Sequence, residues 1–120
     1  MYAIRDFARG LTLYLAVSLP FSASAADAEA KFTVLSFGAK SCGVVVSDFE
    51  KNEWQKLLNS GWVGGFLTAI NAVIDQGGDI AKGTDPAGRD LWIYNYCKAN
   101  PLHTLYNATD ALTIELLSRT

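Results

Sequence analysis

From Trp54 to Val73 the apolar and small residues return at steps of three and four: Trp54, Leu57, Leu58, Gly61, Trp62, Gly65, Phe66, Ala69, Ile70 and Val73. That is the period of a helix with one buried side. Lys51, Glu53, Lys56 and Asn59 fall mostly on the other side. Ser47, followed three residues later by Glu50, has the form of a capping box and predicts the helix start. Gln76-Gly77-Gly78 predicts its end, because glycine adopts the left-handed C-cap geometry freely. Within this pattern each of Gly61, Gly64 and Gly65 costs about 1 kcal/mol relative to alanine. Gly61 and Gly65 share a face, which predicts close packing there. The partner is another helix or the N-terminal strip, and a homodimer through the same face accounts for the glycines equally well. A bend at Ser60-Gly61 is the alternative.

Two further helices follow. Thr84-Asp85-Pro86 reads as a helix start with proline at the first position. This helix carries Leu91, Trp92, Ile93, Tyr94, Tyr96 and Cys97, and it must stop near Asn100, since Pro101 disfavours helical geometry in the residue before it. Asn100 is then expected to cap a last helix with a seam of Leu102, Leu105, Thr109, Leu112 and Leu116, His103 lying exposed on its first turn. Upstream, Phe32-Thr-Val-Leu-Ser-Phe37 is apolar and extended in character but has no partner strand, so it is expected as a strip laid across helices. The fold expected is all-α: a small domain of three to four helices with an extended N-terminal strip.

Residues 1–25 change where this domain is expected to work. Arg5 and Arg9 precede an apolar run from Leu11 to Phe21, and Ala23-Ser24-Ala25 supplies the small-x-small pattern of a signal-peptidase site. The run is well short of the roughly twenty residues that span a bilayer. The expectation is a signal peptide over 1–25, cleaved after Ala25, and a single periplasmic domain over 26–120. Cys42 and Cys97 then read as one disulfide formed in an oxidising compartment. Without the signal the chain carries 8 basic and 11 acidic residues, a net charge of −3. It has no basic cluster to follow a phosphate backbone, so nucleic acid is not an expected partner.

Catalytic chemistry finds little to stand on. His103 is the only histidine, and no serine lies in a G-x-S-x-G elbow. A Cys–His nucleophile would need a free thiol where the only two cysteines suit each other. Two cysteines and one histidine lack zinc spacing, and Asp75, Asp79 and Asp85 lack the alternation of a calcium loop. No catalytic residue, metal or cofactor is therefore assigned. The aromatics are numerous, and Trp62 and Tyr94 fall at the edges of their helices' apolar faces, making them the candidate partner-binding residues.

The chain also carries a motif series. It runs Ser41-Cys42-Gly43, then Gly61-Trp62-Val63-x-Gly65-Phe66-Leu67-x-x-x-Asn71. Asp79-Ile80-x-Lys82-Gly83-x-Asp85 and Trp92-Ile93-x-x-Tyr96-Cys97-x-x-Asn100-Pro101-Leu102 follow, with Ala108-x-x-Ala111-Leu112 last. Over about residues 41 to 117 this resembles a family of small exported bacterial proteins. More remotely it is similar to the Rap1a/Tai type of periplasmic immunity protein, which inhibits cell-wall amidases, and to acid-stress chaperones of the HdeA type. It departs from the immunity proteins in lacking their additional cysteines, and from the chaperones in its many aromatics. The resemblance implies a non-enzymatic periplasmic protein-binding module, an inhibitor or immunity protein against an envelope-targeting enzyme. The alternative it implies is an acid-stress chaperone.

Overall fold

In the computed structural model the described residues are 31–74 and 78–120. The signal expected over 1–25, and the predicted helix end at Gln76-Gly77, lie outside them. Four α-helices lie among the described residues: α1 (Cys42–Lys51), α2 (Glu53–Val73), α3 (Pro86–Ala99) and α4 (Leu105–Leu117). A 3-10 turn at Ser36–Ala39 precedes them, and an extended segment from Phe32 to Leu35 leads into it. The all-α expectation holds, strip included.

The first helix begins earlier than the Ser47 capping box predicts. Ser41 is the true cap, its Oγ accepting from the Val44 amide at 3.4 Å, so Val44-Val45-Val46 and Ser47 lie inside α1. Asn52 then interrupts the chain with φ −143°, and its side chain accepts from the Gln55 amide to start α2. The break falls at Asn52 and not at Ser60-Gly61, which α2 passes without interruption. Asp85 caps α3 through the Gly88 amide with Pro86 in the first turn, as the sequence predicts. The last helix starts at Leu105 and not at Pro101. Thr104 and Asn107 form its capping box, and Pro101-Leu102-His103 is a turn with Leu102 fully outside. The chain direction explains the shift: Asn100 is occupied as the C-cap of α3.

The core comprises Val45 of α1, Val63 and Leu67 of α2, Ile80 of the following loop, Ile93 of α3, and Leu105, Ala108, Leu112 and Leu116 of α4. They surround a fully buried disulfide between Cys42 and Cys97, which joins the first residue of α1 to the last turn of α3. Closing a loop with a sequence separation of 55 removes chain entropy worth about 4 kcal/mol from the unfolded state. The two buried threonines of α4 satisfy their hydroxyls on the Leu105 and Thr109 carbonyls.

The buried side of α2 departs from expectation. Asn59, Val63 and Leu67 point inward, while Trp54, Leu57 and Val73 are 64, 60 and 75% exposed. Among the described residues nothing packs closely on Gly61 and Gly65: both are exposed, and a Cβ on either would meet nothing within 4 Å. The reason is polar. Asn59 turns into the interior to meet a half-buried charge, and that rotation carries the glycine face outward.

Candidate functional site

The charge that Asn59 meets is the half-buried Lys40. Its ammonium donates to Asp48 Oδ2 at 2.8 Å, Gln55 Oε1 at 3.0 Å and Asn59 Oδ1 at 2.9 Å, and it lies 4.6 Å above the Phe37 ring. All three ammonium hydrogens are used. Asn59 Nδ2 donates in turn to Asp48 Oδ2. One side chain thus clasps the 3-10 turn to α1 and α2. Backbone bonds complete the anchor on α4: the Leu105 amide donates to the Lys40 carbonyl, the Cys42 amide to the His103 carbonyl, and Ser41 bridges Thr104.

This anchor positions the segment before it. Gly38 is buried under the Trp62 ring, and a Cβ there would collide with that ring and with Val34. Only glycine lets the turn lie flat on the indole. Ser36 opens the turn at φ 57°, a geometry that costs an L-residue about 1–2 kcal/mol. Upstream, Phe32 to Leu35 run beside Trp62, Phe66 and Tyr106 and leave an open groove of about 410 Å³ between strip, α2 and α4. Its walls are a chain of ring contacts: Trp62–Phe66 at 5.7 Å, Phe66–Tyr106 at 5.8 Å and Tyr106–Phe32 at 5.2 Å between centroids. Among the described residues no charged side chain lines it. Burial, then the charge of Asp110, raises the Tyr106 phenol above its ordinary range and keeps it a neutral donor. Phe32 and Leu35 remain 61 and 71% exposed. Among the described residues the backbone of Phe32 to Val34 makes no hydrogen bond to protein.

Trp62 therefore sits in the groove, and Tyr94 does not. Tyr94 stacks on Phe49 at 4.3 Å and donates from its hydroxyl to Glu50 Oε1 at 2.7 Å, with Lys98 Nζ 5.0 Å from its ring. That hydrogen bond to a carboxylate raises its phenol. Tyr94 thus ties α3 to α1 beside a cleft of about 20 Å³, room for one water. The cleft holds Asp90, whose carboxyl is raised by burial and partly restored by Ser60, Lys56 and Arg89. The sequence brings Trp62 and Tyr94 together as candidates; the fold puts them in separate clefts that share no residue.

Other sequence candidates have local duties. His103 lies in the turn before α4, its Nδ1 2.7 Å from the Tyr96 hydroxyl. Asp79 accepts from the Asn71 side chain and the Ala81 amide, and Asn71 accepts from the Ile80 amide, so the loop after α2 is tied down onto that helix. Gly83 sits at φ 80°, which only glycine takes without strain. Both thiols are consumed by the disulfide. Among the described residues no three histidine, cysteine or carboxylate side chains converge, and no helix is long and apolar enough to cross a membrane. The disulfide is consistent with an oxidising compartment.

Phe32, Phe66, Tyr106 and Lys40 were not sequence candidates. Phe66, one helical turn after Trp62, was legible as its neighbour; the approach of Phe32 and Tyr106 is long-range and left no local signal. No protein-family model, curated protein or solved structure matches this chain.

Proposed function

We propose that this chain is a non-enzymatic protein-binding module of the periplasm, released from its 1–25 signal, and that it inhibits an envelope-targeting enzyme by seating a segment of it in the Phe32–Trp62–Phe66–Tyr106 groove. The observation that carries this reading is the groove itself: four rings and an extended strip beside them, with no charged wall and no backbone bond from Phe32 to Val34 among the described residues. Aromatic side chains in such a setting supply most of the energy of protein interfaces. An extended apolar segment fits best, because it adds backbone hydrogen bonds along the strip while its side chains fill the ring-lined floor. The disulfide and the motif series support the exported setting.

The test is crosslinking in living cells with the partner identified by mass spectrometry, repeated with Phe32→Ala/Leu35→Ala. Both side chains are largely exposed, so the variant keeps its melting temperature. Recovery of an envelope hydrolase or toxin that the variant no longer captures is expected. Equal capture by the variant removes the groove from the reading.

The exposure of Phe32, Leu35, Trp54 and Leu57 on the folded chain supports a second reading, an acid-stress chaperone that offers apolar surface to unfolded clients. Light scattering of an aggregating client at about pH 3 decides it; no suppression of aggregation ends that reading.

A further inference from the structure

We infer that the outer face of α2 is the contact for a second copy of this chain, paired antiparallel about a two-fold axis beside Val63. The groove reading plays no part in this inference.

The face begins at Trp54 and ends at Val73, about 29 Å along the helix. From Leu57 to Ile74 the sequence holds no charged residue. The hydroxyl of Thr68, exposed on this face, donates inward to the Gly64 carbonyl at 2.8 Å, leaving its methyl outward. An uncharged face meets its own copy without the repulsion that a charged one suffers.

The order of sizes selects the orientation. Large side chains stand at the N-terminal end (Trp54, Leu57), glycines in the middle (Gly61, Gly65), and Ala69 and Ala72 at the C-terminal end. About an axis at Val63, an antiparallel pair sets Trp54 over Ala72, Leu57 over Ala69 and Gly61 over Gly65. Trp54 and Leu57 each meet an alanine, Val73 falls beside Glu53, and the bare backbones approach closely at the crossing. A parallel pair would oppose Trp54 to Trp54 and leave the alanine ends apart. The antiparallel order also sets the helix dipoles favourably.

The glycines supply the argument from energy. Each costs the lone helix about 1 kcal/mol, and among the described residues nothing lies within 4 Å to repay that. A strip of this length and about a third of the helix circumference buries roughly 500 Å² per copy, near the lower limit of specific interfaces. The dimer is therefore reversible, with a dissociation constant on the order of micromolar to tens of micromolar.

Sedimentation equilibrium of the purified protein across this range tests it, with Gly61→Ala/Gly65→Ala and Ala69→Glu as variants. The expected result has two opposite signs in one variant: the double alanine raises the melting temperature of the dilute monomer, yet weakens the dimer at least tenfold. Ala69→Glu abolishes association with the monomer's melting temperature unchanged. A photo-crosslinker at Val73 is expected to label the Glu53–Lys56 segment of the other copy. A monomer at about 1 mM, an undiminished dimer in the double alanine, or a Val73-to-Val73 crosslink overturns the proposal. So does a monomer that instead binds phosphatidylglycerol vesicles through this face.

Discussion

Replacing Lys40 tests the polar centre most directly. In Lys40→Met the apolar stem is kept and the ammonium lost, so Asp48, with a side chain only 12% exposed, retains one side-chain partner, Asn59 Nδ2. Breaking a buried ion pair from one side costs about 3–5 kcal/mol. The Lys40 and Asp48 side chains keep 16 and 12% exposure, and Gln55 can rehydrate, so we expect about 2–4 kcal/mol. The stronger expectation concerns recovery. In Lys40→Met/Asp48→Leu/Asn59→Leu no buried polar group of the cluster is left without a partner, and stability returns to within about 1 kcal/mol of wild type. Urea unfolding followed by circular dichroism, with linear extrapolation, measures both. A single variant within about 0.5 kcal/mol of wild type, or a triple variant weaker than the single one, would refute the idea that the charge is held by its partners.

Three other outcomes follow from the geometry. Reducing the disulfide should lower stability by about 4 kcal/mol and steepen the urea dependence by expanding the unfolded chain, both read from the same titrations. Gly38→Ala must push the Trp62 indole off the turn, at about 1–3 kcal/mol, with a red-shifted tryptophan emission and weaker near-ultraviolet dichroism. Burial raises the Asp90 carboxyl, so folding favours its protonated form: the favourable contribution is complete below the unfolded value near pH 4 and disappears as pH rises through the folded value. Asp90→Asn should accordingly melt higher than wild type at neutral pH, the difference closing toward about pH 4 in a series of thermal scans.

Where a local rule and the tertiary structure agreed, the sequence was readable. Asp85-Pro86 gave the start of α3, Leu105, Thr109, Leu112 and Leu116 gave the buried seam of α4, and the parity of Cys42 and Cys97 gave the disulfide. The failures have definite causes. Ser47-Phe49-Glu50 satisfied a capping pattern, but Ser41 and Asn52 offered caps that left α1 whole. The α2 helix is apolar on nearly every side, so periodicity could not choose its buried face; the half-buried Lys40 chose it, through Asn59. The groove was half legible, since Trp62 was marked while its companions from the strip lie 27 to 30 residues before it and Tyr106 of α4 lies 44 after it.

The segment from Lys40 to Cys42 touches the start of α4 and the end of α3, both more than fifty residues downstream. A chain that emerges from its N-terminus cannot close these contacts until residue 105 is out. Loop-closure entropy must be met before any of them is rewarded. Folding order is thus the reverse of synthesis order at this end: α1 and α2 wait, with their apolar faces open, for the last quarter of the chain. The strip that borders the groove is made before α1 to α4 and seated after them, which makes the speed of folding sensitive to Thr104 and Leu105 rather than to the strip's own residues.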